Sequence, residues 1–341
     1  MTTPPATAHA WASQELATAR FGDARLTKRL VRIVADKLAN PTGSIPQASG
    51  NWAATKAAYR FFASKQVSAD AIRAAHAQAT LQRARHHSTI LLLQDTTELN
   101  YTSHPNTTGL GHLDSALCFG LKVHSGLAVT TDGVPLGLLH QQVWTRNAPS
   151  KERTGRKRPQ EERESQRWLT TLAEVQELVE ATTRLLVVAD READIYPLFA
   201  APRDERTDLL VRASYDRILL GGKKLEQVAG EVEWQGTRRV VIPANGSRVE
   251  RTATVSMGWT SATMQPPQDY PKAASAPRPC VQLVVVEERE APAGVKPLRW
   301  LLWTTLAVEN WDDAVQVVEY YRLRWLIERY HYVLKSVFLI L

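Results

Sequence analysis

Apolar residues change spacing repeatedly along the chain, and each spacing predicts its own kind of structure. From about Trp11 to Ala75 they recur at three and four, the spacing of helices with one buried face. RFGDARLTKRLVRIVADKLA places Leu26, Leu30, Ile33, Val34 and Leu38 inward, with Arg25, Lys28, Arg29 and Arg32 largely outside. PTGSIPQASGNW (41–52) is a Pro/Gly/Ser break, and Ser68 reads as the start signal of the next helix. STILLLQD (88–95) then packs four apolar residues in a row and ends in Asp95, the pattern of a buried strand tipped by an acid. TTELNYTSHPNTTGLG after it reads as a polar loop. Residues 121–146 read as a hairpin turning at Thr131-Asp132-Gly133.

TRLLVVAD (183–190) repeats the acid-tipped strand and ends in Asp190, with a helix opening directly in READIYPLFAAP. TDLLVRASYD (207–216) is a third buried strand. From about 217 to 297 the runs shorten and alternate, as in RRVVIP, SRVERTATVSMGW and VQLVVVEE, which predicts an inserted β unit. PLRWLLWTTL (297–306) returns to strand, and one last helix is expected over Trp311–Lys335.

Composition adds bounds. A chain of 341 residues, 44% hydrophobic and 23% charged, is ordinary globular material with room for two or three structural units. The pattern divides it into a helical unit (1–75), an α/β part (76–216), the β insertion (217–297) and a closing α/β part (298–341). The net charge of +7 points weakly toward nucleic acid. Cys118 and Cys280 lie far apart with no CxxC or His/Cys spacing, which argues against a disulfide scaffold and a zinc site. No signal-like N-terminus or membrane-length apolar run is present, so a soluble cytoplasmic protein is expected. PSKERTGRKRPQEERESQR (149–167) reads as a solvated charge run entering a helix near Glu161.

The candidate chemistry lies in the acids and in the last helix. At about 100° per residue, Tyr321, Arg324, Glu328 and Lys335 fall within a sector of roughly 60° on one continuous helix. A solvated face with ion pairs explains that spacing as well as a site does. An Asx turn explains Asp95 or Asp190, and Glu192 and Asp194 read as first-turn helix acids. Taken together, two strand-terminal acids and Glu328 form a carboxylate set without Cys or His. Such a set suits hard cations, Mg²⁺ or Mn²⁺, and two such ions suit phosphodiester chemistry.

The motifs QDTTELNY (94–101), GLLHQQVW (137–144), ADREADIYPLF (189–199), LVRAS (210–214), WLLWTT (300–305) and YRLRWLIERYHYVLK (321–335) carry a resemblance. Across about residues 10 to 335 the chain resembles the bacterial insertion-sequence DDE transposases of the IS-four/Tn-five group. The family's Tyr-x2-Arg-x3-Glu-x6-Lys signature is met by Tyr321, Arg324, Glu328 and Lys335. FGDARLTKRL with AYRFF resembles its end-binding domain.

The resemblance implies an RNase H-like mixed sheet flanked by helices, with a β insertion before the Glu helix and a helical N-terminal domain that binds DNA. It implies Asp95, Asp190 and Glu328 as ligands of two Mg²⁺ ions, with Mn²⁺ as a substitute. Tyr321, Arg324 and Lys335 would contact phosphates, Trp300 would fill the gap left by a flipped base, and His331, Arg212, Arg25 and Arg29 would face DNA, an interhelical polar contact being an equal reading of His331. The implied partners are transposon-end DNA, target DNA and a second copy of the chain, with action in the cytoplasm at the nucleoid. The implied reaction is cut-and-paste transposition: nicking, hairpin formation, reopening and strand transfer. Family members continue past the signature with a helical pairing region, whereas this sequence ends in KSVFLIL. That predicts a C-terminally truncated transposase, either active or an inactive DNA-binding remnant.

Overall fold

A computed structural model of the chain describes residues 5–115, 117–146, 164–242, 249–268, 270 and 273–338. Most of the charge run, with Glu161, and the last three residues of the apolar tail lie outside that set. The chain forms two compact units. The first takes Met1–Arg156, Glu177–Thr183 and Trp325–Leu341, and the second takes Lys157–Gln176 and Arg184–Arg324.

The first unit opens with five helices, α1 (Pro5–Glu15), α2 (Ala24–Ala39), α3 (Ile45–Ser49), α4 (Trp52–Phe62) and α5 (Ala69–Ala84). Polar caps set their starts: Asp23, Ser44, Asn51 and Ser68 each accept a backbone N–H of the helix they precede. Ser68 is the predicted start, and α3 falls inside the predicted break. The helices close over Ala12, Leu16, Phe21, Leu30, Val31, Ala35, Phe61 and Ala75, with the Phe21 and Phe61 rings edge-on at 5.7 Å. Leu26, Ile33 and Val34 pack at the margin of this core. Leu38 does not belong to it: the residue is 43% exposed, in the last turn of α2 beyond the core's final α2 member, Ala35.

Behind the helices come β1 (Thr89–Asn100), β2 (Gly111–His112), β3 (Phe119–Thr130) and β4 (Pro135–Trp144). β3 pairs antiparallel with β1 on one side and with β4 and β2 on the other. The predicted hairpin turn is there, with Gly133 at φ 90° and Thr130 bonded to Val134. β1 is longer than predicted. Its pairing with β3 continues to Asn100, so Asp95 stands mid-strand opposite Ser125, and the stretch expected as a loop begins as strand. The extension reads as polar because Glu98 answers Lys122 at 3.4 Å, a charge pair rather than an apolar contact.

A buried ion network fastens the helices to β4. Glu15 is 4% exposed and takes His76 Nδ1 at 2.6 Å and the Arg83 guanidinium at 2.7 Å and 3.0 Å. Arg83 also donates to the Leu136 carbonyl at 2.6 Å, and the Leu138 N–H donates to His76 Nε2 at 2.9 Å. α1, α5 and β4 thereby meet at one carboxylate.

The second unit holds α6 (Gln166–Leu178, to Gln176), α7 (Tyr196–Ala200), α8 (Leu225–Gly230) and α9 (Trp311–Arg322) around six strands. The strands are β5 (Arg184–Ala189), β6 (Thr207–Arg212), β7 (Gly236–Ile242), β8 (Arg251–Thr263), β9 (Cys280–Glu287) and β10 (Arg299–Thr304). They run in the order β5-β6-β10-β9-β8-β7, parallel between β5 and β6 and antiparallel elsewhere. β5 and β6 are the two predicted apolar strands, and β7 to β9 are the predicted β insertion. The fold is thus mixed α/β with a helical N-terminal region, as expected.

Asp194 corrects a sequence reading. It is 1% exposed, accepts the N–H groups of Ser214 at 2.7 Å and Tyr215 at 3.1 Å, and pairs with the Arg217 guanidinium. It is a buried anchor for the chain leaving β6, not a surface helix acid.

The final helix is two helices. α9 ends at Arg322 and α10 spans Trp325–Phe338. The N–H groups of Leu323 and Arg324 bond back three residues, to Tyr320 and Tyr321. This tighter turn breaks the α-helical phase. Tyr321 therefore lies on α9, Arg324 in the turn, and Glu328 with Lys335 on α10. The one continuous helix expected from spacing is thus two, and Glu328 and Lys335 are the two of the four residues that share a helix.

Candidate active-site residues

In the first unit the candidate chemistry centres on Asp95. Residues alternate faces along β1, so Gln94 and Thr96 point away from Asp95. Both meet the fully buried His124, Gln94 Oε1 at 3.1 Å and Thr96 Oγ1 at 2.8 Å, which fastens β1 to β3 on that face. On the other face Asp95 Oδ2 lies 3.3 Å from His331 Nδ1 on α10. His331 is 4% exposed, and its Nε2 sits 3.3 Å from Ser125 Oγ, the residue opposite Asp95. Gln141 on β4 donates to Ser125 Oγ at 3.3 Å and to the Tyr330 hydroxyl at 3.0 Å. Burial raises the pKa of that hydroxyl against its hydrogen bonds with Gln141 and Ser125.

For His331 a DNA contact and an interhelical polar contact are equal expectations. Here the ring is enclosed, with one nitrogen toward Asp95 and the other toward Ser125. It fixes the Asp95 carboxylate, whose side chain keeps 16% of its surface open. Glu328 lies three residues before His331 on α10, exposed at the edge of the buried face formed by Ile327 and His331. Lys335 is exposed seven residues further on, about 20° from Glu328 around the helix. Sequence reasoning passed over Ser125, Gln141 and Tyr330. The available signal was the pairing of the two strands, which puts Ser125 opposite Asp95.

In the second unit Asp190 ends β5 and caps the short 3-10 turn Arg191–Ala193, its Oδ1 accepting the Glu192 N–H at 2.9 Å. The remaining signature residues of this unit gather around Tyr321, which is 5% exposed. Trp300 on β10 packs edge-on against its ring at 5.3 Å, and the Arg324 guanidinium stands 6.0 Å from the same ring. Trp300 is half-buried, whereas Trp303, three residues on and on the opposite face of the strand, is fully buried.

Arg212, at the end of β6, donates to the Arg299 carbonyl at 3.1 Å. Its pKa is lowered, first by burial; Tyr321 acts against that, while the like charges of Arg191 and Arg324 add to it. Arg191 and Arg324 thus each act on Arg212 as like charges, and Arg212 has no carboxylate partner among the described residues. Guanidinium groups are suited to anions with several oxygens. Arg191 was not among the sequence candidates.

In the helical region Arg25 is exposed and held at 2.9 Å by Asp23, its own helix cap, and Arg29 is half-buried. No helix among the described residues is long and apolar enough to cross a membrane. Three carboxylates are chemically suited to Mg²⁺ or Mn²⁺. Among the described residues, however, no three His, Cys, Asp or Glu side chains stand together as a metal-holding group.

Comparison with known proteins places these features. Residues 8–67 match the family described as Transposase DNA-binding, and residues 144–341 match the family described as Transposase DDE domain. The second match takes in more than half of the sequence, and the chain belongs to the Transposase DDE domain family. Asp190, Arg191, Arg212, Trp300, Tyr321, Arg324, Glu328, His331 and Lys335 lie inside that match; Asp95 lies in neither. Among solved structures, a piggyBac transposase synaptic complex with hairpin DNA is similar at 8% identity and a TM-score of 0.37, over 98% of this chain and 60% of that one. The chain therefore spans 60% of the length of that transposase.

Proposed function

We propose that this protein is a divalent-metal-dependent DNA transposase of the bacterial insertion-sequence class, in the IS-four/Tn-five group. It would cut an element at its ends and join it to target DNA. The observation that carries this reading is Asp95: a mid-strand carboxylate with part of its surface open, oriented by His331 on the helix that also carries Glu328. A carboxylate with no task would not need a nearly buried histidine to aim it.

In this reading Asp95, Glu328 and Asp190 would hold the metal. Bound there, Mg²⁺ or Mn²⁺ would supply Lewis-acid activation of an attacking hydroxyl and charge relief on the departing oxygen. The chain's own residues do the rest. His331, braced by Ser125, orients the Asp95 carboxylate. Arg212, Arg324 and Arg191 neutralise phosphates approaching Tyr321, whose hydroxyl donates to a phosphate oxygen, and Lys335 adds a cation on the exposed face of α10. Trp300 offers a ring edge against which an extruded base or its gap can settle. Nicking frees a 3′-hydroxyl, its attack on the opposite strand forms a hairpin, water reopens the hairpin, and the same hydroxyl joins target DNA. Each step exchanges one phosphodiester oxygen for another. A homodimer on two ends, working in the cytoplasm at the nucleoid, completes the reading.

The test uses duplex DNA selected from a random pool by the full chain, with nicking followed in Mg²⁺ and in Mn²⁺. Nicking that disappears in Asp95→Ala, Asp190→Ala and Glu328→Ala while binding persists is the expected result. Binding without nicking by the unaltered chain, in either metal, would leave only a DNA-binding remnant. Full nicking by Asp95→Ala would remove Asp95 from the site.

A further inference from the structure

The N-terminal helices carry more than a general affinity for DNA. Residues 20–67 contain nine Lys or Arg against two acids, a net charge of +7. The whole chain has 42 against 35, also +7, so everything outside this segment is balanced. Within it, the cations of α2 are partly answered locally: Asp23 holds Arg25 at 2.9 Å and Asp36 holds Arg32 at 2.8 Å. From Pro41 to Val67 there is no acid at all. Lys56 and Arg60 on α4 are exposed, without an acidic partner among the described residues.

α4 also exposes aromatic rings. Its inner face buries Thr55, Ala58 and Phe61. On the outside Trp52 is 75% exposed, Tyr59 49% and Phe62 53%. At about 100° per residue, Trp52, Lys56 and Tyr59 fall within roughly 60° of one another, with Arg60 and Phe62 flanking them on either side. Large rings held in water on one helix are a costly surface unless something covers them. The chain entering α4 is set rigidly. Gly50 ends α3 at φ 71°, a conformation that favours glycine, and the Asn51 side chain caps α4 by accepting the Ala54 N–H at 2.9 Å. Two short helices joined by a glycine-containing turn, the second bearing an acid-free face of rings and cations, form an arrangement that presents a helix to a DNA groove.

We propose that α4 is the reading helix of this protein: it enters the major groove of duplex DNA with Trp52, Lys56 and Tyr59 toward the base edges. Lys56 is suited to the guanine O6 and N7 acceptors, and the rings to thymine methyls and sugar faces. Arg60, with Lys28 and Arg32 on α2, would add phosphate contacts, which position the protein without reading sequence. The inference rests on the DNA-binding reading of this region and adds to it the element and residues that discriminate one duplex from another.

The test uses a duplex enriched from a random pool by the full chain, and a scrambled duplex of the same composition, both followed by fluorescence anisotropy. Trp52→Ala/Tyr59→Ala and Lys56→Gln are exposed changes, with Trp52→Phe as a milder companion and circular dichroism as the check on folding. The preference for the enriched duplex should fall about tenfold or more in the double variant and in Lys56→Gln, since one good base contact contributes about 1–3 kcal/mol of discrimination. Affinity for the scrambled duplex should change less than about threefold in the double variant. Unaltered preference in folded variants would overturn the assignment of α4. Equal losses on both duplexes would reduce α4 to a phosphate contact and overturn it too. If the unaltered chain enriches no duplex and binds neither, the DNA-binding reading itself fails.

Discussion

Glu15 tests whether the helical region and the strand pair beside Asp95 are fastened through one ionised carboxylate. Burial would push the Glu15 carboxyl up, but hydrogen bonds and charge from His76 and Arg83 overcome that and hold its pKa at about 2, against 4.5 for an ordinary glutamate. The unfolded chain binds this proton more readily than the folded one, so the ionised pair stabilises the fold above the unfolded value. That lowering amounts to about 3.4 kcal/mol at neutral pH, about 2 kcal/mol near pH 3.5, and nothing once pH falls below 2. His76 and Arg83 keep about a third of their surface in water, which trims the neutral-pH figure to roughly 2–3 kcal/mol. Glu15→Gln keeps the shape and removes the charge. Urea unfolding followed by tryptophan fluorescence should show the variant less stable by that amount from pH 8 to about 5. The gap should narrow as pH drops from 4.5 toward 2. A variant as stable as the unaltered chain at pH 7, or a gap that does not change with acid, would refute the reasoning.

Gly137 lies in the same network at φ 138°, and an added Cβ would meet Thr80 Oγ1 at 2.3 Å. Gly137→Ala should therefore cost about 2 kcal/mol or more in the same unfolding experiment. Asp194→Ala strands the buried Arg217 guanidinium and two N–H groups, so a loss of about 3–5 kcal/mol is expected from thermal or urea unfolding. His331→Ala removes the group that aims Asp95. Nicking at saturating protein should slow by about 10–100-fold while affinity for DNA stays within about threefold, and His331→Gln should recover part of the rate. Arg191→Gln and Arg212→Gln should each weaken binding of the selected duplex and reduce its dependence on salt by about one unit of logarithmic slope, read by titration at several salt concentrations.

The apolar strands were legible because burial on both faces leaves a short, continuous apolar run bounded by polar residues, as in Ile90–Leu93 and Leu185–Ala189. What escaped were features decided by a partner rather than by local pattern. The second half of β1 reads as a loop because its residues are polar; β3 opposite makes it a strand. Asp194 looks like any acid at the start of a helix, and only the return of Ser214, Tyr215 and Arg217 to it shows otherwise. The interruption between α9 and α10 has neither proline nor glycine to announce it, so a periodicity argument runs across it unchecked. For His331 the motif left a DNA contact and an interhelical polar contact equally open, and its place beside Ile327 on the apolar side of α10 turns it toward Asp95.

That last difference changes the way the signature is understood. As a continuous stripe, Tyr321, Arg324, Glu328 and Lys335 would present one surface, and each would meet DNA by virtue of its helix alone. Divided by a turn, they belong to two local settings with different physics. Tyr321 packs against Trp300 and Arg324, and Arg212 nearby feels the like charges of Arg191 and Arg324. Glu328 follows the turn on a helix anchored through His331 and Tyr330 to Asp95, Ser125 and Gln141, where hydrogen bonds fix a carboxylate. Since the sequence outside residues 20–67 carries no net charge, the arginine cluster cannot rely on a general positive field to draw DNA in. In the proposed reading, attraction and sequence reading would then fall to the N-terminal helices, and the arginines near Tyr321 would act on phosphates already within about a Debye length of them.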